Sequence, residues 1–297
     1  MMITKVKSEE GVLPYAKWND QLESWRQEYA KAKPFPHIVR DNFLQPLALE
    51  QAINEFPSLN SEGWIHYVHI NERKFGKTDR SAFGPSLGAV VDELNSDLFV
   101  SFLSKLSNIK GLFSDPSLEG GGLHQSGRGG YLNIHADFTI HPHHRNWRRR
   151  INVLIYLNKD WNEEYGGYLE FWDKDMKRCT HKIAPIFNRC VIFNTDLDTF
   201  HGHPEPTNCP PKMTRKSIAL YYFTRDCALP VAQATNYRAR PGDGIKSLWI
   251  YFDAMVLRFY DIIKRCLGID DKLASDILKF FSSYGRNKRV NKNILTK

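Results

Sequence analysis

Disulfide chemistry has little to work with in this sequence, because its 297 residues include only five cysteines. They are scattered along the second half of the chain, at Cys179, Cys190, Cys209, Cys227 and Cys266. An odd number without close pairs predicts neither a disulfide framework nor a thiolate metal site. We therefore expect a protein of a reducing compartment, and we predict the cytoplasm.

Long apolar runs are missing as well. No stretch reaches the roughly 18 uncharged apolar residues of a membrane-spanning helix, and the opening MMITKVKSEEGVLPY has no apolar run of the signal-peptide kind. Neither a membrane span nor a secretory leader is therefore predicted. Apolar residues nevertheless make up 42% of the chain and aromatic residues 13%, which excludes global disorder.

Acidic residues are too few to balance the basic ones, and the formal net charge is +8. Residues 232–297 contain 13 Lys and Arg against 6 Asp and Glu, a surplus of 7. The segment 285–297 is typical of a basic tail, which contacts nucleic acid or anionic lipid in some proteins and only aids solubility in others. We expect the second role, so nucleic acid is not a predicted partner.

Helical spacing of apolar residues appears near both ends of the chain. Residues 16–32 carry Trp18, Leu22, Trp25 and Tyr29 at spacings of four, three and four, and 46–55 and 85–106 also have apolar residues at helical spacing. After Pro230 a helix is predicted from about 248 to 266, with Gly268 as its cap. A second short helix is predicted over about 270–282.

Short β-type runs fill the region between these helical ends. They read GGGLHQS, YLNIHADF, INVLIYLN, YLEFWD, HKIAP, RCVIFN, TFHGH and RKSIALYYFT. About eight short strands separated by turn chemistry are typical of a jelly-roll. We predict an α+β protein, mainly β with flanking helices, in which a double-stranded β-helix (jelly-roll) core lies between N-terminal helices and a C-terminal helical extension.

Three segments follow from this division. The prediction is an N-terminal helical segment over 1–32, a jelly-roll domain over 33–230 and a basic helical extension over 231–297. We expect the extension to pack on the flank of the jelly-roll, where it forms either a homodimer contact or one wall of a substrate cleft.

Candidate metal ligands begin in the stretch GGYLNIHADFTIHPHH. Residues i and i+2 of a strand point to the same face, so His135 and Asp137 are directed together. Two ligands are too few for a catalytic metal, and His201, in TFHGH, is the best third ligand. His203 is the alternative, although the chain is expected to turn there.

Two histidines and one carboxylate on one side of a metal form the facial triad of non-haem Fe(II) oxygenases. Such a site leaves three positions for a bidentate oxo-acid and dioxygen. The far carboxylate of an oxo-acid needs a cation, and Arg215 shares a strand face with Ser217. Lys216 falls on the opposite face and is therefore the weaker candidate.

The remaining histidines have less direct interpretations. His141, His143 and His144 are predicted to belong to a solvent-exposed loop, and His124 is either a pocket residue or a structural one. Structural or surface positions are predicted for His37, His66, His69 and His181.

The order HxD, then H, then RxS on a run of short strands resembles the Fe(II)/2-oxoglutarate dioxygenases. RRINVLIYLNKDWNEEYGGYLEFWD (149–173) and PFPHIVRDNFL (34–44) are similar to the prolyl-hydroxylase branch, which includes the Egl-nine enzymes. The resemblance covers 33–226.

That resemblance implies iron ligands and catalytic residues at His135, Asp137 and His201. It implies Arg215 as the 2-oxoglutarate anchor, with Tyr156 of the YLN strand and Ser217 assisting. Fe(II) would then be the metal, 2-oxoglutarate and dioxygen the co-substrates, and ascorbate a candidate reductant. The expected reaction hydroxylates or desaturates an unactivated C–H bond and releases succinate and carbon dioxide.

Other functions stay open at this point. The same ligands would suit a metal-dependent hydrolase, although a hydrolase has no need of Arg215, and a jelly-roll can also bind a metal or small ligand without catalysis. The substrate is equally open: a prolyl side chain in a peptide, a free amino acid or a natural product all fit the pattern.

Overall fold

The computed structural model describes residues 11–226 and 233–267. The predicted basic tail 285–297, the helix 270–282, the Gly268 cap and Cys227 lie outside the described residues.

Five α-helices are present in the described ranges. They are α1 (Tyr15–Lys31), α2 (Pro46–Asn54), α3 (Pro85–Leu94), α4 (Asp97–Ser107) and α5 (Lys246–Leu267). The predicted helix over 85–106 is two helices, because Ser96 begins a new one as its N-cap. The Ser96 hydroxyl accepts a hydrogen bond from the backbone N–H of Phe99 at 3.2 Å, which satisfies a free donor of the first turn of α4.

Thirteen strands form one sheet within the described residues. They are β1 (His37–Arg40), β2 (Ile65–His69), β3 (Glu72–Lys77), β4 (Phe113–Ser114), β5 (Gly122–Ser126), β6 (Tyr131–Ala136), β7 (Trp147–Tyr156), β8 (Leu169–Trp172), β9 (Cys179–Ile183), β10 (Arg189–Asn194), β11 (His201–His203), β12 (Arg215–Arg225) and β13 (Asn236–Tyr237). The sequence patterns did not predict the hairpin β2–β3 or the two-residue strands β4 and β13.

The strands pair antiparallel in the order β1-β10-β7-β12-β5-β3-β6-β11-β8-β9. Neighbours in space are mostly distant in sequence, which is characteristic of jelly-roll connections. The result is a jelly-roll-like half-barrel with helices beside it, and the predicted α+β class and jelly-roll core are confirmed.

Alternation along the long central strands separates the core from the barrel interior. On β7, Val153 and Ile155 join the main apolar cluster, whereas Asn152, Leu154 and Tyr156 line the interior cavity. The N-terminal helix shares that core with the sheet through side chains of α1, α4 and the strands, among them Trp18, Trp25, Tyr29, Phe99, Leu103, Ile218 and Tyr222. The division into segments 1–32, 33–230 and 231–297 stays a prediction.

The C-terminal helix α5 packs on the barrel through a narrow face. Ile250 and Ala254 are buried against Tyr237, with Leu132 alongside. Most other apolar side chains of its described part are exposed: Leu248, Trp249, Tyr251, Phe252, Met255, Val256 and Phe259. Among the described helices, none combines the length and apolar character required to cross a membrane.

The histidine-rich loop is in part the exposed connector that the sequence indicated, because His143 and His144 are exposed, whereas His141 is not. His141 is buried, and its Nε2 lies 3.3 Å from Oδ2 of Asp115. His144 instead stacks on Trp147, with ring centroids 3.9 Å apart. The local sequence contains no sign of the contact between His141 and Asp115, because Asp115 lies 26 residues earlier.

Candidate active site

Two antiparallel strands bring the predicted metal ligands together. His201 on β11 is the register partner of His135 on β6, and Asp137 follows directly after β6. Asp137 lies with Oδ1 3.5 Å from Nε2 of His135 and with Oδ2 3.4 Å from Nε2 of His201. One ligand atom from each residue falls within 4.8 Å of the other two. That spacing suits ligands that converge to about 2.1 Å from one ion.

The backbone fixes the tautomer of both imidazoles. Nδ1 of His135 lies 2.9 Å from the carbonyl oxygen of Asn133, and Nδ1 of His201 lies 3.0 Å from that of Thr199. Because a carbonyl only accepts, each Nδ1 carries the proton and donates it. The Nε2 lone pairs are therefore free and directed at Asp137, which is the arrangement that metal-binding histidines need.

Neighbouring donors keep the carboxyl group ionised. Burial alone would raise the pKa of Asp137, but the positive charge of Arg149, with smaller effects of the two histidines, holds that pKa well below its usual range. Arg149 forms an ion pair with Asp137, with Nη2 and Oδ2 2.9 Å apart, and Asn152 donates a hydrogen bond to the same oxygen at 2.7 Å. An anionic carboxylate and neutral imidazoles are the protonation states that bind a divalent cation.

His201 is held in its neutral form. Burial, which removes the ring from water, is the main reason that its pKa falls to about 4, and Asp137 only partly opposes this effect. Near neutral pH the ring is therefore available as a ligand. The three side chains fit a divalent metal such as Fe(II) in their donor set, spacing and protonation.

A buried guanidinium lies in the same cavity as the ligands. Arg215 on β12 is 7% exposed, and among the described residues no carboxylate pairs with it. Its Nε donates to the carbonyl of Gly167 at 2.8 Å and its Nη2 donates to the hydroxyl of Tyr156 at 3.3 Å. Burial lowers the pKa of Arg215. A buried cation without an acidic partner fits a carboxylate ligand.

Gly167 makes room for this arginine. Its φ of +68° lies in the left-handed region, and a Cβ at this position would approach Cδ of Arg215 to 3.0 Å. Strand β12, which carries Arg215, also places Ser217 on the cavity wall, where its register partners are Tyr156 and His124. Lys216 does not line the cavity.

The sequence profile of the 2OG-Fe(II) oxygenase superfamily matches residues 121–223, which run from β5 to β12 and contain every residue discussed above. Residues 121–223 are a 2OG-Fe(II) oxygenase domain. This domain type implies Fe(II) and 2-oxoglutarate as metal and co-substrate.

Individual relatives of the oxygenase domain are prolyl hydroxylases. Prolyl 3-hydroxylase OGFOD1 of Mus musculus is 25% identical over 197 residues, which are 64% of this chain and 33% of the relative. The chain thus spans about a third of the length of the curated relative that it matches. Over these residues the chain is similar to an enzyme named as a prolyl hydroxylase.

Two solved structures share the fold. A prolyl hydroxylase from Trichoplax adhaerens, in complex with a hypoxia-inducible-factor peptide fragment, has a TM-score of 0.50 and 20% identity, covering 70% of this chain and 92% of that one. A prolyl 4-hydroxylase from Phytophthora capsici has a TM-score of 0.50 and 16% identity, covering 98% and 94%.

The oxygenase cavity is also lined by Lys74, which the sequence did not single out, and by two histidines that it did, His124 and His203. Its empty volume, including the open mouth, is about 630 Å³. Lys74 enters from β3 and pairs with Glu72, with Nζ and Oε2 3.0 Å apart. Burial is the main cause that lowers the pKa of His124 to about 3.

The alternation of side chains along β7 explains which cavity residues could be predicted from the sequence. Asn152 shares its strand face with Tyr156, so the YLN motif already indicated its direction. Arg149 has the opposite parity, yet it lines the cavity because the β7–β12 register shifts between Tyr222 and Phe223. A bulge of this kind redirects a side chain and has no sequence signal in this strand.

Proposed function

We propose that this chain is an Fe(II)- and 2-oxoglutarate-dependent dioxygenase that hydroxylates an unactivated C–H bond and releases succinate and carbon dioxide. The observation that carries the proposal is the pairing, within one cavity, of the His135, Asp137 and His201 cluster with a buried Arg215 that has no acidic partner among the described residues.

Each of these residues has a defined role in the proposal. His135, Asp137 and His201 hold Fe(II) on one side, with Arg149 and Asn152 keeping the carboxylate ionised and oriented. Arg215 and the Tyr156 hydroxyl bind the far carboxylate of 2-oxoglutarate, and Ser217 assists from the same wall. When bound, the iron supplies the oxidative chemistry with dioxygen that protein side chains lack.

The cavity walls supply positioning and dryness. Tyr156, His135, His201 and Arg215 are all buried, so water is largely excluded around them. Charge interactions are stronger in such an environment than in water. The chain therefore holds the co-substrate in one orientation while leaving the mouth of the cavity for a substrate.

Fe(II) and 2-oxoglutarate binding can be tested by optical titration. Apo-protein is titrated under argon with Fe(II) and then with 2-oxoglutarate, and the visible spectrum is recorded. Bidentate chelation of the iron by the oxo-acid is expected to produce a weak charge-transfer band, and His135→Ala is expected to lack it. Iron binding without a band would contradict the oxygenase proposal and favour a metal-dependent hydrolase or a non-catalytic metal-binding protein.

For the substrate we propose a prolyl or prolyl-like group, in a peptide, a free amino acid or a natural product. The curated relative is named a prolyl 3-hydroxylase, and this supports a prolyl group. Loops 139–150 and 158–167 are the proposed selectivity elements. Succinate release above the uncoupled background, measured across prolyl peptides, free amino acids and natural products, identifies the class, and activity with only non-prolyl compounds would refute the prolyl proposal. The same assays with and without ascorbate test its proposed role as reductant.

We also propose that α5 forms a homodimer contact. Its exposed apolar residues recur at helical spacing, as Leu248, Phe252, Met255 and Phe259 do, and an exposed apolar stripe on a helix is typical of an interaction site. Light scattering after size exclusion is expected to give a dimer mass for the wild type and a monomer mass for Phe252→Glu combined with Phe259→Glu. A monomeric wild type would refute the contact.

A reducing compartment is the proposed location, with the cytoplasm as the specific choice. Cys179, Cys190 and Cys209 are free thiols in the structure, and two of them are buried. The protein is alkylated in its native source and examined by mass spectrometry. Each of these three thiols is expected to carry the label. A disulfide at any of them would contradict the assignment.

A further inference from the structure

The C-terminal helix is connected to the first metal ligand by a chain of side-chain hydrogen bonds. Asn71, in the β2–β3 turn, donates from Nδ2 to Oδ2 of Asp253 on α5 at 2.6 Å. Asn133 on β6 donates from its Nδ2 to Oδ1 of Asn71 at 3.1 Å. The carbonyl of Asn133 then accepts from Nδ1 of His135 at 2.9 Å.

Additional bonds hold each link of this chain in place. The backbone N–H of Asn133 donates to the carbonyl of Asn71 at 2.8 Å, and Nδ2 of Asn71 also reaches the carbonyl of Ile250, one turn before Asp253, at 3.1 Å. His69 contacts the same Asp253 oxygen through Nδ1 at 2.8 Å. Asn71 therefore has its side-chain donor and acceptor both engaged, in a single orientation.

The residues that link Asp253 to His135 are buried, so their hydrogen bonds determine their orientation. Asn71 is 0% exposed, Asn133 2% and His135 4%. Water cannot replace a lost partner at such positions without rearrangement, so each group depends on the next for its direction. Loss of the Asp253 acceptor would leave the buried Asn71 amide without its shortest hydrogen bond.

A second link between α5 and His135 runs through the ring of Tyr237. Tyr237 on β13 is the register partner of His135, and the two rings lie 5.5 Å apart. The other side of Tyr237 belongs to the apolar cluster with Ile250 and Ala254 of α5. The buried face of α5 thus supports both the backbone and the ring of this ligand.

We propose that α5 is a positioning element of the metal site, and that Asn71 and Asp253 are positioning residues that fix the direction of the His135 imidazole. The inference rests on the proposed function only in taking His135 as a metal ligand, and it requires neither 2-oxoglutarate nor turnover. Groups that orient a metal-binding histidine typically affect metal affinity by about 10- to 100-fold.

The test measures metal binding to the full chain, without co-substrate or substrate. Free Mn(II) is followed by electron paramagnetic resonance during titration of the apo-protein, and Co(II)-loaded protein is examined by visible absorption. Asp253→Ala, which removes the acceptor, is expected to weaken Mn(II) binding by about 10- to 100-fold and to change the Co(II) ligand-field bands. Asp253→Asn keeps an acceptor oxygen and is expected to restore both to near the wild-type values.

Two controls separate positioning from general loosening of the helix. Arg258→Ala removes a different contact of α5, the 2.9 Å hydrogen bond to Asn236, and is expected to leave Mn(II) affinity unchanged. Thermal unfolding of each apo-variant reports damage to the fold. A loss of affinity in Arg258→Ala equal to that in Asp253→Ala, or an unchanged Co(II) spectrum in Asp253→Ala, would overturn the proposal.

Failure of the wider functional proposal gives a different result. Wild-type protein that binds Mn(II) through His135, but forms no charge-transfer band with Fe(II) and 2-oxoglutarate, would refute the dioxygenase and leave the positioning role intact. Wild-type affinity in Asp253→Ala would refute the positioning role alone. Wild-type protein without metal affinity would refute both.

Discussion

The hydroxyl of Tyr156 lies 3.3 Å from Nη2 of Arg215, although 59 residues separate them in the chain. Antiparallel pairing of β7 with β12 produces this proximity, because Ser217 is the register partner of Tyr156. The guanidinium lies 4.9 Å from the tyrosine ring centroid and is buried with it. The two side chains together form a cationic, hydrogen-bonding end of the cavity, opposite in chemical character to the metal-ligand cluster.

Arg215→Ala is expected to raise the KM for 2-oxoglutarate by about 10- to 100-fold, because loss of a buried charged hydrogen-bond donor costs about 1.5–3 kcal/mol. Lys216→Ala is the matched control, since Lys216 does not line the cavity. Succinate formation at varied 2-oxoglutarate concentration measures both. A raised KM in Lys216→Ala with a normal KM in Arg215→Ala would reverse the assignment of the anchor.

Asp137→Ala is expected to abolish hydroxylation and to weaken Fe(II) binding by more than about 10-fold, because it removes the only anionic ligand of the described cluster. It also leaves the buried Arg149 without its ion-pair partner, which costs about 3–5 kcal/mol of folding stability. Metal titration and chemical denaturation measure the two effects separately.

The double variant Asp137→Ala with Arg149→Met separates ligand loss from charge burial. It removes both members of the ion pair and is expected to recover most of the stability that Asp137→Ala loses. Its affinity for iron is expected to stay as low as that of Asp137→Ala. Asp175→Ala, at an exposed turn, is the control for loss of an acidic residue. Normal iron binding by Asp137→Ala would exclude this residue as a ligand.

Much of the fold and of the candidate site followed from local periodicity. Strand alternation alone directs His135 with Asp137 and Arg215 with Ser217, because period 2 is a local property of the backbone. The helix α1 was equally visible through its apolar spacing. These features need no knowledge of what the strand or helix packs against.

Features that depend on long-range pairing were not predictable. Lys74 reaches the cavity only because the hairpin β2–β3 inserts between β5 and β6, and ERKFGK has no regular alternation of apolar residues. Arg149 reaches Asp137 only through a register shift against β12. The buried His141 contacts the carboxylate of Asp115, which lies 26 residues earlier in the chain. In each case tertiary contacts override the local pattern.

Gly202→Ala is expected to weaken metal binding although Gly202 has no side chain to coordinate. A Cβ at this position would lie 2.7 Å from the carbonyl oxygen of Leu132 and 2.8 Å from that of Asn133. Both atoms belong to the backbone of β6, so β11 must shift away from β6 and carry His201 with it. We expect at least about a 10-fold loss of Mn(II) affinity, in line with the effect of misdirected ligands.

Gly127→Ala is the matched control for that substitution. Its Cβ would meet only Cδ1 of Leu59 at 3.6 Å, an ordinary van der Waals contact, and its φ is not in the left-handed region. Equal Mn(II) affinity in Gly202→Ala and wild type would show that β11 tolerates the shift, and that the close approach of the two strands does not position His201.

Asp115→Asn is expected to destabilise the fold in a pH-dependent way. Asp115 is 5% exposed and accepts hydrogen bonds from the Ser117 backbone and hydroxyl and from the Glu119 backbone, while its Oδ2 lies 3.3 Å from Nε2 of His141. Burial alone would raise its pKa, but these donors lower the pKa of Asp115 from 3.8 to about 2. A depressed folded-state pKa contributes stability that is complete well above the unfolded value of about 3.9 and is lost as the pH falls through about 2.

The size of the effect follows from the same shift. A change of nearly two pKa units corresponds to about 2 kcal/mol at pH 7, and about half of this remains at pH 3. Urea denaturation of the wild type and Asp115→Asn at both pH values gives the two differences in unfolding free energy. The difference at pH 3 should be the smaller one, because the carboxyl group of the wild type is then mostly protonated in the unfolded chain but still mostly ionised in the folded one. If the difference in unfolding free energy stays constant or grows on acidification, the ionised Asp115 carboxylate does not stabilise the contact between the 115–119 loop and His141.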